Sequence, residues 1–549
     1  MKRKAVAAVL TAVMVASMFT GCGSDNGSSS AKSASAASAA SAASAANDTV
    51  DEDGKVNGIM YQEGLPLVDE GDYTFSIFCD DSSESGEFIM LDEFKKQTNV
   101  DVDLKIYPYE TATERLNLDL NSGDYADVIG GWTLSDNAIL TYGVNQGVFI
   151  PLEDYFEKYC PNISAILDLP GVREKMTAPD GHIYTIPYVC ADTTVGYSPY
   201  INTKWLENVG MSMPTTTDEF EAVLKAFKEQ DANGNGDASD EIPFSTDPNN
   251  KHIEAMAGYF GLPMNKLGIA IQNEKVVYGG VSDTYREFLS WFHKLYAEGL
   301  VDVELYTQDS STWEGKGNQD LYGVSIAYGS NEFTGIPAAE ERGDFDSMPV
   351  LNTDKDGIWL RDTEGFSVYR TQAVITNKAE HPEIICRWFD NAFALENGIG
   401  CNRGPVGVIV NKEDDGYHAI DTTTLSEEDQ EKYSWGNLWP QSLPKYLPVD
   451  FEFVEEHPMY DEKKATEEAY EANLTKEIIP SYWIDLDKID TFSDTNTAIK
   501  DFFEQQQAQF VCGELDIDND ADWQAYVDGM YSLGLEDWVA TQGIEEIAK

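Results

Sequence analysis

The sequence predicts an α/β protein built on a parallel sheet. Two observations carry this: runs with a two-residue apolar period, and helical stretches between them. Tyr73, Phe75 and Ile77 alternate with polar residues and read as a strand. A helix follows, with Phe88, Leu91 and Phe94 on one side. Val100, Val102, Leu104 and Ile106 then alternate with Asp101, Asp103 and Lys105, a second strand. Another helix, through Leu116 and Leu120, leads to the short strand Asp127-Val128-Ile129. Strands separated by helices pair in parallel through right-handed crossovers. Ligands of such sheets bind beyond the carboxyl ends of the strands, here Cys79 to Glu84 and Gly130-Gly131-Trp132.

The best-specified helix is 217–229. Thr216 and Glu219 make a capping box, and Phe220, Val223, Leu224 and Phe227 follow the i, i+3, i+4, i+7 pattern. The helix runs into a loop from Asp231 to Pro243, with oxygen side chains at loop positions 1, 3 and 5 and Gly236 at position 6. That is the first half of an EF-hand calcium loop. A hard cation takes six to eight oxygens; Asp231, Asn233 and Asn235 offer three, the carbonyl of Asp237 a fourth, and Asp240 and Glu241 the rest. Position 12 is Ile242, and Pro243 bars an exiting EF helix, so the expectation is one structural Ca²⁺ staple and no switch. The competing reading is a turn without metal, since Asn and Gly also favour turns.

The amino terminus reads as an address. Met-Lys-Arg-Lys precedes an apolar run from Ala5 to Phe19 and then Thr20-Gly21-Cys22, a secretory signal over residues 1–21 with small residues before a cysteine. The run is shorter than the roughly 20 residues a spanning helix needs. Cys22 is the expected lipid attachment point of a bacterial lipoprotein, although Phe19 stands where an aliphatic residue is usual. An ordinary cleaved signal is the alternative. Residues 22–58 are rich in Ser, Ala, Gly, Asn and Asp and are expected to be a disordered tether, whose 36 residues after Cys22 would span about 30–35 Å. The expected location is extracytoplasmic, held to the membrane by lipid only, on the outer face of a Gram-positive-type cell.

With 549 residues, the chain is long enough for two cores. A net charge of −60 repels nucleic acid and anionic lipid and argues against both as partners, while a local Arg in a cleft still leaves room for an anionic ligand. After Cys22 six cysteines remain, with no CxxC or Cys/His cluster, so no sulfur-type metal site is indicated; disulfides are permitted but none is specified, and free buried thiols of an anaerobe fit equally well. There is no HExxH, GxSxG, Walker A loop or GxGxxG, and the six histidines are scattered, so no catalytic residue is assigned.

Four segments converge on a family: Gly147–Tyr155, Asp180–Pro187, Ile201–Leu206 with Gly210, Pro214, Thr217, Asp218 and Glu219 beyond it, and the calcium-like loop. Together they resemble the extracellular solute-binding proteins, family 1, of ABC sugar importers, in particular the large lipoproteins that include alginate-oligosaccharide binders. The run Asp522–Val527 through Gly534-Leu535 is similar to that group's carboxyl end. The resemblance spans roughly residues 70–545. It implies a two-lobed, periplasmic-binding-protein-like (type II) α/β fold with hinge strands between the lobes: residues 59–187 plus about 366–393 in lobe 1, and 188–365 plus about 394–549 in lobe 2. It also implies Ca²⁺ at Asp231, Asn233, Asn235, Asp237, Asp240 and Glu241, away from the ligand. One extra residue between Asp237 and the Asp-Glu pair, and the segment Gly400–Pro405, depart from the group's pattern.

A sugar site needs aromatic platforms for CH faces and planar polar groups for hydroxyls. The platform candidates are Trp132 at a strand end, Trp359, Trp435 and Trp439; the polar candidates are Asp80, Arg361 and Arg403. Core packing is the competing role for each Trp. The expected function is a monomeric, lipid-anchored receptor that captures a carbohydrate, an oligosaccharide, and delivers it to the ABC permease without chemistry. A glycan-binding surface adhesin and a glycoside-active enzyme are the alternatives.

Overall fold

The computed structural model describes residues 48–81, 87–248, 252–335, 344–454, 458–544 and 546–548. The signal 1–21, Cys22, most of the tether and the Ser82–Glu84 part of the first strand end lie outside the described residues. Residues 48–58, expected to belong to the tether, pack instead. Lys55–Val56 pairs with Met60–Tyr61, Val56 and Met60 are buried, and the Tyr159 hydroxyl donates to Asp48 Oδ2 at 2.7 Å.

The alternating runs become the expected strands. Tyr73–Asp80, Val100–Tyr107 and Val128–Gly130 are parallel, with the helices Ile89–Thr98 and Tyr109–Ser122 between them. Two later strands complete a five-stranded sheet. Phe366–Ile375 runs antiparallel to Val128–Gly130 on one side and to Thr185–Ala191 on the other. The pleat sends Phe75, Ile77 and Cys79 into one core with Trp388 and Phe389, and Phe78 into another with Ile129 and Val374.

The second lobe has its own sheet, ordered Phe345–Ser347, Ser198–Asn202, Tyr322–Ala327 and Ile242–Thr246. Tyr322–Ala327 is parallel to Ile242–Thr246 and antiparallel to Ser198–Asn202. Its core joins Phe220, Val223, Leu224 and Phe227 of the helix Thr217–Glu229 to Trp205, Phe288, Phe292 and the carboxyl-terminal Phe503, Trp523 and Trp538. That helix is capped as read: Thr216 Oγ1 accepts from Glu219 N at 3.2 Å. The return arm reaches one residue further back, Glu219 Oε2 accepting from Thr215 N at 2.9 Å.

Two strands carry the chain between the sheets. Thr185–Ala191 continues through residues 192–197 into Ser198–Asn202, and Trp359–Arg361 continues through 362–365 into Phe366–Ile375. The two crossings are laced together: Asp192 N donates to Gly365 O at 3.1 Å, Asp362 N to Thr194 O at 3.0 Å, and Thr363 Oγ1 to Thr193 O at 3.0 Å. A further connection touches the first lobe at Trp483, whose Nε1 donates to Lys175 O at 3.1 Å, before the helix Ile489–Cys512.

The expected division placed all of 394–549 in the second lobe. Residues 395–447 pack instead on the first. Cys401, Trp439 and Leu443 share a core with Phe94 and Trp388, and Trp439 stacks on Trp388 at 5.7 Å. The segment is polar enough along its length to mask this; its apolar anchors pack against Trp388 and Phe389 of the helix Pro382–Ala392.

Candidate functional site

The carboxyl ends of the parallel strands are Asp80 and Gly130 in the first sheet and Ala327 in the second; Trp132, beyond Gly130, meets Tyr369, which lines one cavity with Tyr328, beyond Ala327. Asp80 closes the first strand. It is fully buried, and its carboxylate accepts from Trp132 N at 2.9 Å and Thr133 N at 2.6 Å. Burial raises its pKa, while these N–H groups oppose the rise. Gly131, just before these two donors, has φ +132°, and a Cβ there would lie 2.2 Å from Asp80 Oδ1, so only glycine lets the loop wrap the carboxylate. Asp80 therefore aims Trp132 rather than facing a ligand itself.

Trp132 is 45% exposed and is the outer member of an aromatic layer. Its ring meets Tyr369 edge-on at 5.3 Å, and Tyr369 stacks on Tyr188 at 5.5 Å. Tyr369 and Tyr188 come from adjacent hinge strands that are directly paired. Behind Tyr188 lies Lys445, its Nζ 5.7 Å from the Tyr188 ring and 5.6 Å from that of Trp435, which is 56% exposed. Lys445 is buried, donates to Gln441 Oε1 at 2.6 Å, and is lowered to about 8 by burial, with the Arg403 guanidinium pushing the same way. Arg403 is itself lowered by burial, beside Tyr188 and Cys190.

The hinge supplies acids. Asp192 Oδ2 accepts from Ser367 Oγ at 2.5 Å and Tyr369 OH at 3.4 Å, and Oδ1 accepts from Tyr328 OH at 3.3 Å. One carboxylate thus joins a tyrosine of each lobe. Asp362 accepts from Gly196 N at 2.7 Å; its side chain is still reached by solvent, and the cleft walls that partly desolvate it raise its pKa to about 6. Lys463 donates to Gly196 O at 2.9 Å, lies 3.8 Å from the centre of the Tyr328 ring, and is lowered by burial to about 8. His252 stacks on Tyr197 at 4.0 Å and is lowered by burial to about 4, so it is neutral at neutral pH. Between these groups is a cavity of about 440 Å³, lined among others by Asp192, Tyr197, His252, Tyr328, Asp362 and Tyr369. It is a space with aromatic faces, hydroxyls and carboxylates, able to hold a polar molecule with weakly apolar faces and to accept its hydrogen bonds.

Of the sequence candidates, Trp132, Trp435 and Arg403 come to this wall. Trp359 lines the cavity but is buried in the second-lobe core, edge-on to Tyr470 at 5.5 Å. Trp439 is core and not a platform, with its Nε1 turned to Leu443 O at 3.4 Å. Arg361 is a strand pin: its Nε donates to Thr475 O at 3.1 Å and its Nη2 lies 3.6 Å from Glu471. Tyr188, Tyr369, Tyr328, Asp192 and Asp362 were missed. Asp192, Tyr328 and Asp362 carried a signal of position, each lying just beyond a strand end, whereas Tyr188 and Tyr369 lie inside two paired strands, where no local pattern singles them out.

The loop 231–241 lies at the opposite edge of the second sheet, because it feeds the start of Ile242–Thr246 while Tyr328 follows the end of Tyr322–Ala327. Asp231 Oδ2 accepts from Gly236 N at 3.0 Å, Asn233 Oδ1 from Asn235 N at 3.0 Å, and Asn235 Oδ1 from Asp237 N at 2.8 Å. These bonds curl the loop around its own side-chain oxygens. Asp240 accepts from the Asn233 and Asn235 amides at 3.2 and 2.7 Å, and Glu241 Oε1 from Ala232 N at 2.8 Å. Two buried oxygens, Asp231 Oδ1 and Glu241 Oε2, find no hydrogen-bond partner among the described residues. Burial, reinforced by Asp240, raises the Glu241 pKa. Such a donor set suits a hard cation. Among the described residues, the acidic and histidine side chains already drawn within 4.8 Å of one another are Glu413, Asp415 and His418, on the surface hairpin 410–419.

The profile of the family described as bacterial extracellular solute-binding protein matches residues 81–398. The fructooligosaccharide ABC transporter substrate-binding protein FusA of Streptococcus pneumoniae is 33% identical over 335 residues, which cover 59% of this chain and 61% of that relative. The structure of a FusA EF-hand mutant in complex with fructo-nystose superimposes with a TM-score of 0.73 at 26% identity, over 85% of this chain and 98% of that one. The alginate-binding protein AlgQ2, solved without calcium ion, shares the fold with a TM-score of 0.69 at 22% identity, over 87% and 99%.

Proposed function

Because this chain belongs to the bacterial extracellular solute-binding proteins, we propose that it is the receptor of an ABC importer that closes on an oligosaccharide and presents it to the permease. The observation that carries this is the cavity at the lobe crossing, where Asp192 accepts hydroxyls from Tyr369 of one lobe and Tyr328 of the other. A sugar hydroxyl is the same kind of donor, so a bound sugar can take over either bond and gain by touching both lobes. Closure is then driven by contacts that exist only when the lobes meet. Trp132 and Tyr369 supply faces for sugar CH groups, Trp435 and Arg403 extend the wall, and Trp359 forms the floor.

The likeness to FusA favours short fructooligosaccharides as the first ligands to try. On this reading the protein is monomeric and cleaves nothing. Cys22 carries the lipid, and the Ser/Ala-rich tether raises the effective concentration of the receptor at its permease. The loop 231–241 holds one Ca²⁺ through Asp231, Asn233, Asn235, Asp237, Asp240 and Glu241, with the two orphan oxygens as its strongest support.

Calorimetric titration with a panel of fructo-, galacto- and uronate oligosaccharides tests the reading. Saturable binding by one class with a contraction in X-ray scattering is expected. Binding by none, or release of shorter products, overturns it.

A further inference from the structure

Six cysteines fall within the described residues, all as free thiols. Cys79 lies against the Ser442 hydroxyl at 3.1 Å, Cys190 beside Tyr188, and Cys512 beside Tyr296. Cys160 and Cys386 differ, because each has the other as its neighbour.

Their juxtaposition follows from how two helices meet. Cys160 is the joint between Glu153–Tyr159 and Pro161–Leu167. The start of the second of these is held by Asp390, whose carboxylate accepts from Ile163 N at 2.8 Å and from Asn162 Nδ2 at 2.9 Å. Cys386 lies four residues before Asp390 on the helix Pro382–Ala392, hence one turn away on the same face. The bonds that dock Asp390 on residues 162–163 therefore bring Cys386 against Cys160. Both thiols are fully buried in one core.

We propose that Cys160 and Cys386 are a redox pair that closes to a disulfide in this extracytoplasmic protein. The oxidant is a low-molecular-weight disulfide. One thiolate attacks it to form a mixed disulfide and releases one small thiol. The other protein thiolate displaces the second small thiol, so two protein S–H bonds and one S–S bond become one protein S–S bond and two small thiols. In the folded state burial raises the Cys160 thiol well above its ordinary pKa, and the neighbouring Cys386 adds to the rise. The exchange therefore runs during folding, before the core closes over the sulfurs. The enclosed loop, 160 to 386, contains both hinge strands and the whole insertion between them. The bond would tie the first lobe to itself and leave the lobes free to move.

The full chain, unfolded and refolded in a mixed reduced and oxidised glutathione buffer, is alkylated and digested without reduction. A cross-linked species joining the Cys160 and Cys386 peptides is expected in mass spectrometry. Recovery of both as alkylated thiols, or of either joined to another cysteine, overturns the proposal. The oxidised protein should also melt about 5 °C above the reduced one. That gap should vanish in both Cys160→Ala and Cys386→Ala; its persistence in either counts equally against the pair.

Discussion

The loop 231–241 and the cleft are both built from oxygens and both point to a ligand, yet they are assembled in opposite ways. The loop takes its side chains from one stretch of eleven residues, and the bonds that curl it run within that stretch, with Asn208 Nδ2 donating to Ala232 O at 2.7 Å from outside. The cleft takes Trp132, Tyr188, Asp192, Tyr328, Asp362, Tyr369 and Lys445 from separate stretches of both lobes. A local site can be rigid before its ligand arrives. A site shared between lobes is finished only when they meet, and that makes it suited to signalling occupancy.

The two sites should therefore come apart under perturbation. The largest expected effect is on the loop. Stripping divalent cations with EDTA, or substituting Asp231→Ala, should cost about 3 kcal/mol of stability, the gain expected for a ligand near 100 times its Kd. Scanning calorimetry should show the fall while sugar affinity measured below the melting range stays within twofold. An unchanged melting temperature would remove the staple.

Next comes the buried cation behind the cleft. Burial lowers Lys445 to about 8 in the folded state, against an ordinary value of 10.5. Between those pH values the unfolded chain holds more protons, so stability should rise with pH from about 8 to 10.5. Lys445→Met should roughly halve that rise, because Lys463, also lowered to about 8, contributes over the same window, and should stabilise the protein near pH 7 by about 1–3 kcal/mol, since it trades a desolvated charge for an apolar chain. Urea titrations at pH 7 and 10 measure both; a flat pH response in the parent would contradict the buried charge.

Smaller effects are expected at the cleft wall, and on binding alone. Trp132→Ala should weaken sugar binding by about 1–2 kcal/mol, roughly tenfold, with melting nearly unaltered, because the ring is half exposed. Tyr328→Phe removes the second-lobe hydroxyl from Asp192 and should cost about 1 kcal/mol in affinity. Loss of stability without loss of affinity in either variant would place that residue outside the site.

How legible each region was follows from the same contrast. The first sheet was readable because its first strand buries alternate residues in one core, so Tyr73, Phe75 and Ile77 announce the pleat. The helix 217–229 was readable from its cap and apolar stripe. Trp439 and Arg361 were misplaced because composition does not tell a platform from a core ring, or a ligand contact from a strand pin. Residues 395–447 were misassigned for a related reason, their anchors Cys401, Trp439 and Leu443 being too sparse to show which lobe they join.

By itself the sequence determined what depends on neighbours along the chain: the α/β alternation, the capped helix, the curl of the calcium-like loop, and the motifs of the family. The tertiary structure decided what depends on distant segments meeting. It put Asp192 between two tyrosines, set Lys445 behind Tyr188, and brought Cys386 against Cys160. The physical reason is range. Periodicity and turn chemistry act over a few residues, whereas a cleft between lobes and a contact between helices are set by packing, which joins residues that the chain keeps far apart.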